Sequence, residues 1–149
     1  MTSYRTKRKN VGNWILNYIE TVFTDVSRYG HVFERHINQE TARMCERCAR
    51  KRENISSFYG NPSDVVNLLH ATLKENADEI ADWLADDSDD QDWIIYGAFR
   101  DSRVTGKIIL YSGNHDWSDG AIECREFSVV LAKMKHINGF KIRSCYPIY

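Results

Sequence analysis

The sequence predicts an α+β domain, with helices in the first half of the chain and the strands of an antiparallel sheet in the second. Up to residue 85, apolar residues recur at spacings of three and four, the period of an amphipathic helix. After Asp92 they give way to runs of β-branched and aromatic residues separated by turns that contain Gly106, Gly113, Gly120 and Gly139. Asn138-Gly139, between the last two runs, is a hairpin signal.

The elements follow in order. The first nine residues are polar and basic and are expected to fray. Trp14, Ile15, Tyr18, Ile19, Val22, Phe23 and Val26 form one stripe, which predicts a helix over 11–27 that Gly30 brings to an end. A short helical turn is expected over 31–37. Asn38 can then cap a second helix over 39–51, with Met44 and one of Cys45 and Cys48 facing inward. Residues 55–62 look extended and end in a turn. Ser63 can cap a third helix on the stripe Val65, Val66, Leu68, Leu69 and Leu73, and Ile80, Trp83 and Leu84 mark a fourth before the acidic run 86–90. Strands are expected over 93–99, 107–112, 126–136 and 140–147.

A chain of 149 residues, 42% hydrophobic and 28% charged, suits a soluble globular domain with a core of its own. No apolar run approaches the roughly 20 residues that span a bilayer, and the basic N-terminus lacks the apolar centre of a signal peptide. A cytoplasmic monomer with no membrane contact is the expectation. The four cysteines, Cys45, Cys48, Cys124 and Cys145, need not pair in a chain of this size. Cys45 and Cys48 form a C-x-x-C pair, which leaves open a zinc site completed by His31 and His36, against the plainer reading of two helical cysteines with one in the core. Charge is unevenly spread. Residues 1–51 carry ten Lys/Arg against five Asp/Glu, 52–92 carry two against eleven, and 93–149 carry eight against five. Basic ends around an acidic middle permit one phosphate-attracting face at a net charge of −1.

In GHVFERHI, residues 30–37, two histidines stand five residues apart, as core residues, metal ligands or proton-transfer groups. His36 and Arg47 fall within about 20° of one helical face but roughly 16 Å apart along a continuous helix. They can serve one ligand only if the chain bends near Asn38, and would then combine a titratable imidazole with a bidentate phosphate binder. On the last strand, alternation places Phe140, Ile142, Ser144 and Tyr146 on one face and Lys141, Arg143 and Cys145 on the other. His70, beside core leucines, reads as structural. His115 lies in a loop, and His136, with Lys133 and Lys135 nearby, is a candidate contributor to a phosphate-binding groove.

Taken in order, Gly30-His31-x-x-x-x-His36-Ile37, Ser56-Ser57-Phe58, Asn76-x-x-x-Ile80-x-x-Trp83-Leu84, Asn138-Gly139 and Ser144-Cys145-Tyr146-Pro147 resemble the motifs of the bacterial ribonuclease-A-like toxin domain. That domain is found at the C-terminal tips of contact-dependent growth-inhibition proteins and other polymorphic toxins. The likeness runs from about residue 29 to 149, with 1–28 as an N-terminal basic segment and helix packed on the same domain. It departs at Ser144, where the family usually has threonine. The resemblance implies helices on a curved antiparallel sheet, like pancreatic ribonuclease without its disulfides. It implies toxic endoribonuclease activity without metal or cofactor, in which the 2′-hydroxyl attacks phosphorus to give a 2′,3′-cyclic phosphate, with tRNA as one candidate substrate. His36, Arg47, Ser144 and Tyr146 would be the catalytic residues, and His31, Lys133, Lys135 and His136 would support them or bind substrate. RNA and a neutralising immunity protein are the partners implied. The competing reading is a non-catalytic RNA- or protein-binding module that keeps the fold.

Overall fold

The computed structural model describes residues 3–30, 35–98, 104–111, 120–134 and 139–149. Along the chain these form α1 (Tyr4–Val22), a 3-10 turn (Val26–Tyr29), α2 (Thr41–Lys51), β1 (Ile55–Phe58), α3 (Pro62–Glu75), α4 (Ala77–Ala85), β2 (Trp93–Ala98), β3 (Gly106–Ile109), β4 (Ile122–Cys124), β5 (Glu126–Lys133) and β6 (Phe140–Ile148). The α+β class is as expected, and all four cysteines are free thiols. The strands form two antiparallel sheets, ordered β1-β3-β4 and β2-β5-β6. None of the described helices is long and apolar enough to cross a membrane.

Several boundaries differ from the sequence reading. The first helix starts at Tyr4 rather than Val11, because Ser3 Oγ accepts the Thr6 N–H at 3.2 Å and caps it. Arg8 Nε also lies 2.6 Å from Asp82 Oδ1 of α4, and Lys7 pairs with Asp87. The helix stops at Val22, and the chain tightens into the 3-10 turn, which Asp25 caps through the Ser27 N–H at 2.8 Å. The cap of α2 is Glu40 rather than Asn38, and that of α3 is Asn61, with Pro62 at the first helical position, rather than Ser63. The Asn138-Gly139 hairpin signal falls partly outside the described residues, since Asn138 is not among them.

Two cores back the two sheets. The larger joins Val11, Ile15, Ile19 and Phe23 of the N-terminal segment to Leu69, Leu73, Ile80 and Trp83, and to Ile95, Phe127, Val129, Leu131, Phe140, Ile142 and Cys145 of the β2-β5-β6 sheet. The smaller packs Met44 and Cys48 of α2 on Ile55 and Ile109. Tyr18 ties α1 to the last strand, its hydroxyl donating to the Phe140 carbonyl at 2.8 Å. His70 Nε2 lies 3.1 Å from the Ile19 carbonyl, the structural role expected of it.

Candidate active site

Backbone pairing, not helix geometry, sets the position of His36. Residues 36–38 run along the edge of β1. The Phe58 N–H donates to the His36 carbonyl, the Asn38 N–H donates to the Phe58 carbonyl at 2.9 Å, and Ile37 forms a parallel bridge with Phe58. Ile37 is thereby buried in the larger core, and the side chains on either side of it in sequence, His36 and Asn38, are less buried. The imidazole Nδ1 lies 2.8 Å from the Ser56 carbonyl oxygen. A carbonyl oxygen only accepts, so Nδ1 carries the hydrogen of the neutral ring and Nε2 keeps its lone pair. Burial lowers the His36 pKa below its ordinary 6.5. The Ser56 bond works against that shift, and the positive charges of Arg47, Arg35 and Lys51 reinforce it.

The bend near Asn38 is present. Asn38 takes a left-handed backbone, φ 48°, a conformation that asparagine tolerates better than most residues. Its side chain grips Gly60, with Oδ1 accepting the Gly60 N–H at 3.3 Å and Nδ2 donating to the Gly60 carbonyl. Buried Ser57 helps, its hydroxyl accepting the Gln39 N–H at 2.9 Å. Beyond the bend, α2 returns Arg47 toward residue 35, where its Nη1 donates to the Arg35 carbonyl at 3.3 Å.

Ser144 and Tyr146 reach the same place by a route that simple alternation misses. Val130 pairs with Ser144 while Leu131 pairs with Ile142, so Arg143 is an extra residue in β6. Phe140 and Ile142 face the core as expected. After the bulge the parity reverses: Cys145 joins them inside, and Ser144 and Tyr146 face the opposite side. The expectation that Phe140, Ile142, Ser144 and Tyr146 share a face is thus corrected. Gly30, with φ 62°, lies against the bulge, where a Cβ would sit 3.2 Å from the Arg143 carbonyl oxygen.

His36, Ser144 and Tyr146 line one cleft of about 610 Å³, together with Glu53, Asn54, Ser56, Ile108, Leu110 and Ile148. Gly106 lets its walls close. A Cβ there would collide with the Ser57 carbonyl and the Pro147 ring, so β3 passes β1 and β6 only as glycine. Sequence reasoning missed Glu53, Asn54 and Ser56. The contribution of Ser56 is a backbone carbonyl, which no side-chain pattern reveals. Glu53 and Asn54 follow the left-handed cap Arg52, φ 55°, where helical periodicity has ended.

Lys133 is not part of this cleft. It shares the face of Val129 and Leu131, on the helix side of the sheet. Its ammonium donates to the Asp86 carbonyl at 2.8 Å and to that of Asp89, and sits 5.4 Å from the Trp83 ring centroid. The expected substrate-side role is corrected accordingly. His31, His115, Lys135 and His136 lie outside the described residues. Among the described residues, no three His, Cys, Asp or Glu side chains gather as a metal site would require.

Residues 30–147 match a family model described as the bacterial CdiA-CT RNAse A domain. Among solved structures, the chain is similar to the CdiA-CT/CdiI complex from Y. kristensenii 33638. The TM-score is 0.65 at 17% identity, covering 80% of this chain and all of the other. A comparison with curated proteins finds no match.

Proposed function

The chain belongs to the bacterial CdiA-CT ribonuclease A domain family, and from that premise we propose that the His36 cleft cleaves RNA without a metal, by transesterification to a 2′,3′-cyclic phosphate. The observation that carries the proposal is the polarity of His36. With Nδ1–H committed to the Ser56 carbonyl and its protonation disfavoured, the ring offers a neutral Nε2 to the cleft, as a general base must. Nε2 takes the 2′-hydroxyl proton, the 2′-oxygen bonds to phosphorus, and the bond to the 5′-oxygen breaks. Tyr146 gives its phenolic proton to that oxygen, and the phenolate and imidazolium later exchange protons with water. Arg47 supplies positive charge to the phosphorane, and Ser144 donates a hydrogen bond that orients the phosphate.

The Y. kristensenii relative is a complex with CdiI. By the same reading, this chain has an immunity protein that covers the cleft, presenting acidic residues to the cations around His36. Use in competition between bacteria, and tRNA as substrate, belong to this proposal. Purified protein in EDTA is expected to cut total RNA and leave cyclic-phosphate ends. Expression is expected to arrest bacterial growth, and His36→Ala to lower the cleavage rate by about 10²–10⁴. Cleavage by His36→Ala at the wild-type rate would remove His36 from the mechanism. RNA binding with no scission by the wild type would favour a non-catalytic module instead.

A further inference from the structure

We propose that the cleft continues onto the exposed face of the β2-β5-β6 sheet, and that Tyr96 there is a stacking platform for the base of a nucleotide next to the scissile phosphate. The inference rests on the ribonuclease reading and deepens it, naming single-stranded RNA as the form of substrate the site takes.

Strand register carries the placement. Tyr146 pairs with Ser128, and Ser128 with Tyr96, so the three side chains form one row across the sheet on the face the bulge gives to Ser144. Two residue pairs along, Ser144, Val130 and Ile94 form a parallel row on the same face. Two inter-strand steps put the Tyr96 backbone about 10 Å from that of Tyr146, a distance that a base on a neighbouring nucleotide can bridge.

The chemistry of the rows points to a base. Tyr96 is 60% exposed and Ile94 41%, an aromatic ring and an aliphatic side chain held open to water on an edge strand. An apolar edge of this kind invites aggregation unless something covers it. Between the two tyrosines, Ser128 is 2% exposed, and its hydroxyl has no hydrogen-bond partner among the described residues. Unstacked bases of single strands bring what Tyr96 lacks, a flat π-face to cover its open ring. Bases in a duplex are already stacked and cannot.

The test is steady-state cleavage of a short oligoribonucleotide with one cleavage site. Tyr96→Ala is expected to raise KM about tenfold with kcat within twofold, and Tyr96→Phe, which keeps the ring, to restore it. Tyr4→Ala, at an exposed tyrosine on α1, is expected to change neither. An abasic nucleotide at one of the two flanking positions should raise the wild-type KM to the level of the Tyr96→Ala protein and leave that variant indifferent. Unchanged KM in Tyr96→Ala, in a wild type that cleaves, overturns the platform alone. So does a KM that rises equally in Tyr96→Phe. A wild type that cleaves no RNA overturns the ribonuclease reading and the platform with it.

Discussion

His36 is surrounded by groups that keep it neutral, and this fixes the sign of its pH behaviour. Its pKa in the folded chain is lowered by burial first and then by Arg47, Arg35 and Lys51. Cleavage is therefore expected to fall on the acid side with a midpoint below 6.5, as the base takes up its proton. Removing the Arg47 charge should move that midpoint upward, toward the ordinary value, while lowering the plateau rate through loss of phosphorane stabilisation. A pH–rate profile of wild type beside Arg47→Gln reads both effects, and a midpoint that moves down would contradict the electrostatics. Stability follows the same sign. Because the folded chain binds its proton less readily than the unfolded chain, this contribution is full above about 6.5 and is lost as pH falls through the lower folded value. At Ser144 the family's threonine offers the same hydroxyl, so Ser144→Thr should retain cleavage and Ser144→Ala lose part of it. Product formation on one substrate under saturating conditions decides between them.

Among the elements, the bend between residue 36 and α2 matters most, because it turns α2 back so that Arg47 Nη1 reaches the Arg35 carbonyl, next in sequence to His36. Asn38 holds it twice, by accepting a left-handed backbone and by its amide bonds to Gly60. Asn38→Ala should cost about 1–2 kcal/mol in urea unfolding and reduce cleavage further by loosening His36. Asn38→Gly, which restores the backbone preference but not the amide bonds, should fall between. Equal midpoints for all three proteins would mean that Asn38 does not hold the bend. The bend was legible in the sequence, from a cap-type residue placed where His36 and Arg47 needed one. The bulge was not. A period of two is read along one strand, whereas an extra residue such as Arg143 shows only against the register of β5. For the same reason Ser144 and Tyr146 could be named by their motif while their face was assigned wrongly. Lys133 failed differently: proximity in sequence to His136 says nothing of which side of a sheet a lysine occupies. The short β4 carried too few residues to show a pattern.

Over the whole molecule, the open matter is whether α1 belongs to the folding unit, since the family match begins only at residue 30. The charges on α1 suggest a clamp: Arg8 Nε lies 2.6 Å from Asp82 Oδ1, and Lys7 pairs with Asp87. These are surface pairs, with Asp82 and Asp87 mostly exposed, and such pairs contribute only about 0–1 kcal/mol each. The apolar face weighs more. Val11, Ile15, Ile19 and Phe23 are each at most 4% exposed, and burying such a side chain is worth roughly 1.5–3 kcal/mol. Together that is comparable to the roughly 5–15 kcal/mol that stabilises a whole domain. We therefore propose that residues 1–28 and 29–149 fold as one unit, held by packing rather than by charge. Arg8→Gln should shift the urea midpoint little, whereas Ile19→Ala, which empties a fully buried position, should cost about 2–5 kcal/mol. A protein beginning at residue 29 should lose the cooperative transition and the near-ultraviolet circular dichroism of its packed aromatic residues, because Phe140 would lose its contacts with Phe23 and Tyr18. If that shortened protein unfolds cooperatively at the full-length midpoint, α1 is an appendage, and the larger core closes without it.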